Sequence, residues 1–283
     1  MTPEAMLSHH ARSFAPAARL LSRKDHAQVA RLYALCRTVD DLADTIGGPE
    51  VHARLSAMAA DLRAGRGSDP LAAEALVLFA GRPAGLAAYV RLVETVAEDT
   101  GATCIPNDAA LESYCTGVAG TVGVMVCALF DVAPRWHARA ADLGKAMQLT
   151  NICRDVFDDA AAGRRYLPYT LCPHTPGDIA AETPEARNNV RIAVAELLTR
   201  ADVLYAVGRT GLPALPLRLR LAVSAATAMY AGIGSELRAR ACDPAQGRVY
   251  VPTRRKLLLV SQGLLTDLLP RFGTDSGQSH APS

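Results

Sequence analysis

The chain has 283 residues, half of them hydrophobic and 5% aromatic, and its 30 lysines and arginines against 28 aspartates and glutamates leave a formal charge of +2. Such a balance excludes a nucleic-acid partner held by bulk charge, so any bound anion must be gripped by local groups. Alanine and leucine recur throughout, which fits packed helices better than a sandwich of β-branched strands.

Residues 1–10 carry Glu4 and two histidines but no basic stretch followed by an apolar one. No secretory signal is visible, and a cytoplasmic location is expected. Ser22 can cap a helix that starts at Arg23, with Val29, Leu32, Ala34, Leu35, Val39 and Leu42 on one broad face and a stop at Gly47-Gly48-Pro49. Helices are predicted over 49–64, 70–80 and 83–99, each entered through a proline, which a first turn tolerates. Asn107 or Asp108 can cap a segment that reaches Phe130. Its apolar run, 118–130, is interrupted by Gly120, Thr121 and Gly123 and falls short of the roughly 20 residues that cross a bilayer. No membrane span is expected, although a peripheral contact stays open. A further helix is predicted over 135–161, before Gly163, and Pro168, Pro173 and Pro176 mark a long loop. The last helices are predicted over 184–209, 216–241 and 252–269. Residues 273–283 lack apolar anchors and read as a disordered tail, which leaves 1–272 as one helical domain. The seven cysteines are odd in number and form no C-x-x-C, so they read as small hydrophobes in a reducing compartment.

Two of the predicted helices carry the same acidic pattern. In CRTVDDLAD, Asp40 and Asp44 stand four residues apart with Asp41 between them, and in NICRDVFDD so do Asp155 and Asp159, with Asp158 between. On a helix that spacing puts each pair on one face, where like charges repel unless solvent or a cation intervenes. One such motif reads as a solvated surface; two, both directly following apolar helix stretches, point to a shared ligand. Hard oxygen donors suit Mg²⁺, with Mn²⁺ as a substitute, and a magnesium ion commonly joins a few carboxylates to substrate phosphates. Each cluster has its own arginine, Arg37 and Arg154, and guanidinium binds phosphate oxygens in two-pronged fashion.

LGKAMQLTNICRDVFDDAAAGRRYLP, at 143–168, resembles the second signature of the squalene and phytoene synthase family, and YALCRTVDDLAD, at 33–44, resembles its first. HARSF (10–14) is similar to the family's N-terminal substrate-contact segment, YCTGVAGTVG (114–123) to its central helix, and Tyr230 with Arg248 to its C-terminal contacts, so the likeness covers almost the whole chain except the tail. The resemblance implies an all-α isoprenoid-synthase bundle with a central cavity, in which two prenyl diphosphates join through a cyclopropyl diphosphate. It also implies metal ligands at Asp40, Asp44, Asp155 and Asp159, with Asn151 added. His10, Arg12, Ser13, Tyr33, Arg37, Gln148, Arg154, Tyr230 and Arg248 are implied to contact the diphosphates or the nascent cation. Gly163-Arg164-Arg165-Tyr166 is expected to form a flap. Gly117, Gly120 and Gly123 make a smooth strip that suits either a close helix or a prenyl chain.

Two positions depart from the family pattern. Thr116 stands where many relatives carry a second tyrosine, and Cys242 and Ala245 where aromatic residues are common, although Asp243 and Arg248 remain. The AGTVG context resembles bacterial carotenoid-branch enzymes, which favours phytoene synthase acting on two geranylgeranyl diphosphates. Dehydrosqualene or squalene synthase on farnesyl diphosphate, the latter with NADPH, stays an alternative; so do a terpene cyclase on the same fold and, more remotely, a non-catalytic assembly factor. Apolar products further imply peripheral contact with the inner face of the membrane and handover to downstream carotenoid enzymes.

Overall fold

A computed structural model describes residues 1–10, 18, 20–247, 249, 258 and 261, with His10 described in its backbone alone. Helix α1 (Pro3–His10) is followed by α2 (Arg23–Asp41), which opens on Ser22: the serine hydroxyl accepts from the Asp25 N–H at 3.2 Å. Beyond Asp41 the chain widens into a π-helical turn, Leu42–Ile46, and stops at Gly47, whose φ of 60° belongs to the left-handed region. Helices α3 (Gly48–Arg63), α4 (Pro70–Leu78) and α5 (Pro83–Glu98) complete the first half, each with proline in its first turn.

Asn107 then caps α6 (Asp108–Cys115), which passes through a π-helical turn (Thr116–Gly120) into α7 (Thr121–Leu129). Together they make one helix, Asp108–Leu129, long and apolar enough by length and composition to cross a membrane. Much of what it leaves uncovered faces a central cavity, whose wall includes Val118, Val122 and Val126. A short 3₁₀ turn (Pro134–Trp136) leads to α8 (His137–Ala161). The loop predicted around the prolines at 168–176 contains a short helix, α9 (Pro176–Ala180), closed by a capping box between Thr175 and Asp178. Helices α10 (Pro184–Arg209) and α11 (Leu217–Ala239) follow. Among the described residues there is no strand, only an isolated parallel bridge between Cys104 and Arg165. Apart from residues 258 and 261, the helix predicted at 252–269 and the tail at 273–283 lie outside the described residues.

The apolar faces gather into two large clusters. One joins α2 to α5 through Leu35, Leu55, Met58, Tyr89 and Val93; the other joins α8, α10 and α11 through Cys153, Val194, Leu197 and Leu237. The α6–α7 helix runs between them, and glycine sets how close it comes. A Cβ on Gly117 would lie 2.0 Å from Thr95 Oγ1 on α5, and one on Gly123 would lie 2.2 Å from the Ala140 carbonyl on α8. From the other side, a Cβ on Gly144 of α8 would lie 2.1 Å from the Ala119 carbonyl. Gly120 meets nothing closer than 3.5 Å, so the expected smooth strip divides into two tight helix contacts and one ordinary one.

Candidate active site

The cavity between the two clusters has a volume of about 1130 Å³, just above the roughly 300–1,000 Å³ of ordinary small-molecule sites. The helices that wall it present their polar residues at one end. On α2, Val29 and Leu32 precede Tyr33, Arg37 and Asp40; on α8, Ala140, Leu143 and Met147 precede Gln148, Asn151, Arg154, Asp155 and Asp159. On α11, Val223 precedes Tyr230. The opposite end is apolar, built from Val132, Trp136, Leu212 and Leu215. From Ala140 to Asp159, α8 rises about 28 Å at 1.5 Å per residue, so the wall is long as well as wide.

All four metal-ligand aspartates expected from the motifs, Asp40, Asp44, Asp155 and Asp159, border this cavity, two from each side. The middle aspartates do not: Asp41 instead pairs with Arg37 at 2.5 Å, and Asp158 is exposed. Burial, and then the neighbouring Asp44, push the Asp40 carboxyl up to about 6 against the pull of Arg37. Its side chain is 53% exposed, yet that exposure is to the cavity, whose walls displace much of the surrounding water. Burial and Asp155 push Asp159 up to about 7, opposed by Arg164, with Asp44 a further repelling charge.

Arginines temper the crowding. Arg154 Nε donates to Asp155 Oδ1 at 2.8 Å, and Arg164 pairs with Asp44 and reaches the Ala43 carbonyl at 3.4 Å. Arg37 Nε is buried with no hydrogen-bond partner among the described residues. Tyr33 lies beside Arg37 and Tyr230, and Tyr230 lies beside Asn151 and Arg154. Gln148 completes the set drawn from the motifs. Arg12, Ser13, Arg248 and the side chain of His10 lie outside the described residues.

This donor set fits a divalent cation shared with a diphosphate. Four carboxylates of one sign are held together at a cost that a cation relieves. Asn151 Oδ1 is buried in the same wall with no partner among the described residues, so it too has a lone pair to give. No three acidic, histidine or cysteine side chains converge on one point among the described residues. The two pairs therefore face each other across a gap that a metal–diphosphate would have to bridge.

Four residues enter the site that the motifs did not mark as ligands or contacts. Arg164 and Tyr166, in the segment expected to be a flap, both border the cavity, and so do Tyr114 and Asp99. Asp99 Oδ2 accepts hydrogen bonds from Tyr114 at 3.0 Å and Tyr166 at 2.8 Å. Asp99 had a sequence signal: an acid at the negative end of a helix is electrostatically misplaced unless something there needs it. Thr116 does not line the cavity, whereas Tyr114, two residues earlier, does.

The family model described as squalene/phytoene synthase matches residues 7–255. A phytoene synthase from Rhodobacter capsulatus is 35% identical over 91% of this chain and 80% of its own length. A 15-cis-phytoene synthase from a Paracoccus species is 33% identical over 93% and 90%. Among solved structures, a dehydrosqualene synthase in complex with ligand superposes with a TM-score of 0.78 at 26% identity, covering 93% of this chain and 94% of that one. A squalene synthase from Alicyclobacillus acidocaldarius has the same fold, with a TM-score of 0.73 at 24% identity over 86% and 94%.

Proposed function

The chain belongs to the squalene/phytoene synthase family, a family of diphosphate-releasing prenyltransferases, and from that premise we propose that it acts as a phytoene synthase. It condenses two geranylgeranyl diphosphates head to head, by way of a cyclopropyl diphosphate. The observation that carries this reading is one long cavity with two opposed aspartate pairs at its polar end and aliphatic walls beyond them.

Asp40, Asp44, Asp155 and Asp159, with Asn151 Oδ1, are the residues that would hold Mg²⁺ or Mn²⁺, whose charge stabilises diphosphate as it departs. Arg37, Arg154 and Arg164 stand among these carboxylates and supply guanidinium N–H groups for the diphosphate oxygens. Gln148 and Tyr230 add neutral donors beside them. Farther in, Val118, Val122, Val126, Leu143 and Met147 hold the prenyl chains and keep water from the allylic cation. No protein nucleophile is required, because the second substrate's double bond is the nucleophile.

The likeness to a dehydrosqualene synthase favours a second reading, in which two farnesyl diphosphates are joined instead. Purified protein incubated with Mg²⁺ and either diphosphate, with and without NADPH, separates the two. The C20 substrate is expected to yield a C40 hydrocarbon without NADPH. A C30 product from farnesyl diphosphate alone would overturn the chain length, NADPH dependence would mark a reductive squalene synthase, and a cyclised product from one substrate would overturn head-to-head joining. The hydrocarbon product must reach a lipid phase, so the protein works in the cytoplasm in peripheral contact with the inner face of the membrane and hands its product to downstream carotenoid enzymes. Recovery of all the protein in the soluble fraction after cell fractionation would count against that contact.

A further inference from the structure

Asp99 follows α5 at the end where the helix's unpaired carbonyls make a carboxylate unwelcome. Burial raises its carboxyl further, against the lowering influence of the nearby Thr103, Tyr166 and Tyr114 hydroxyls. Yet one oxygen, Oδ2, gathers both tyrosine hydroxyls, while Oδ1 is buried in the cavity wall with no partner in hydrogen-bonding geometry among the described residues. The Tyr114 and Tyr166 rings are stacked, centroids 4.9 Å apart at 23°. Both phenols border the cavity.

The segment that Asp99 begins also bonds to the chain just beyond each acidic motif. The Thr100 carbonyl accepts from Gly48 N–H at 2.9 Å, just past the π-helical turn that carries Asp44. The Thr103 carbonyl accepts from Arg165 N–H at 2.8 Å, and Ile105 N–H donates to the Arg165 carbonyl at 2.9 Å. Arg164, next to that bridge, pairs with Asp44. One carboxylate thus stands where the end of the first motif, the loop after the second and the α6 tyrosine meet.

We propose that Asp99 is a positioning residue of the condensation, a fifth carboxylate that binds no metal but fixes the Tyr114 and Tyr166 phenols at the cavity wall. The proposal rests on the function assigned above. A phenol that donates its only proton to a carboxylate has none left for the diphosphate. Its oxygen lone pairs and ring face, made more electron-rich by that bond, are left for the allylic cation. Asp99 therefore divides the polar end into an arginine- and metal-bearing side for diphosphate and an electron-rich side for the carbon that loses it.

Asp99→Asn keeps the shape and removes the charge. With Mg²⁺ and geranylgeranyl diphosphate, kcat is expected to fall about 10- to 100-fold, the scale of a misplaced catalytic group, with KM held within about twofold and the melting temperature unchanged. Tyr114→Phe is expected to lower kcat on its own, and the double variant to be no worse than the poorer single one, because the two residues act as a unit. Tyr166→Phe, which leaves the carboxylate in place, keeps the test open should Asp99→Asn fail to fold; a drop in kcat at constant KM supports the proposal. Unchanged kcat in the folded variants, or effects of Asp99→Asn and Tyr114→Phe that multiply, would overturn it. Wild-type protein that turns over neither prenyl diphosphate would sink the functional reading instead, so the two failures are distinguishable.

Discussion

Four aspartates around one cavity repel one another, and a divalent cation bound there would remove that repulsion. Asp40 and Asp155 stand on opposite walls, so neither can replace the other. Changing either to asparagine is expected to lower turnover by about 10³-fold or more, equivalent to some 4 kcal/mol of barrier, while circular dichroism and melting temperature stay at or above wild type. Wild-type turnover in either variant would remove the metal assignment. A different aspartate does the opposite work. Asp243 accepts from Arg187 Nη2 at 2.6 Å and from the Ala245 N–H at 3.1 Å, and although burial acts to raise its carboxyl, these partners together lower it. A depressed folded-state value contributes stability above the unfolded carboxyl value of about 3.9, and that contribution is lost as pH falls through the lower folded one. Asp243→Asn should therefore lower the melting temperature at pH 7, by less as the pH falls below about 3.9 and the carboxyl begins to take up its proton. A loss that does not change with pH would show that packing, not charge, matters at this position.

Helix α6–α7 is mostly apolar beyond Tyr114, and its sequence alone does not say whether its neighbours are lipid, helices or substrate. The glycines give the answer one position at a time. Gly123 lets the Ala140 carbonyl of α8 approach a distance that no Cβ survives, whereas Gly120 has ordinary room. Gly123→Ala is expected to destabilise by about 1–3 kcal/mol, the usual cost of overpacking against backbone, and to lower the melting temperature by several degrees. Gly120→Ala should be near neutral. A chemical-denaturation midpoint measured for both separates them, and equal effects would mean that α8 can shift. The π-helical turns at Leu42–Ile46 and Thr116–Gly120 were not legible. Each is a single wide turn inside an otherwise α-helical run, which no spacing of residue types marks. Boundaries set by local chemistry were legible: Ser22 and Asn107 cap where expected, and Pro184–Arg209 matches its predicted span.

At the scale of the molecule, product size depends on how much of the cavity remains beyond the polar end. Val126 lies on the wall well past Tyr114 and is only partly covered by protein. Enlarging it to phenylalanine should fill space that the longer chain uses, and shift kcat/KM from geranylgeranyl toward farnesyl diphosphate by about 10- to 200-fold, the range a hydrophobic pocket commands for small changes in length. An unchanged ratio in a competition assay would place the length-setting wall elsewhere, with Trp136 and Leu215 the next positions to change.

The sequence by itself determined most of the long helices, the caps at Ser22 and Asn107, the two acidic motifs and the chemistry those motifs imply, because each is written in residues within a few positions of one another. Only the tertiary structure brought the two aspartate pairs, each already marked by its spacing, to one cavity. It also turned Arg164 and Tyr166 from an expected flap into part of the wall and placed Asp99 beneath two tyrosines. Those decisions join residues tens of positions apart, Asp99 to Tyr166 and Asp44 to Arg164, and helical periodicity holds no information about which distant side chain will arrive opposite.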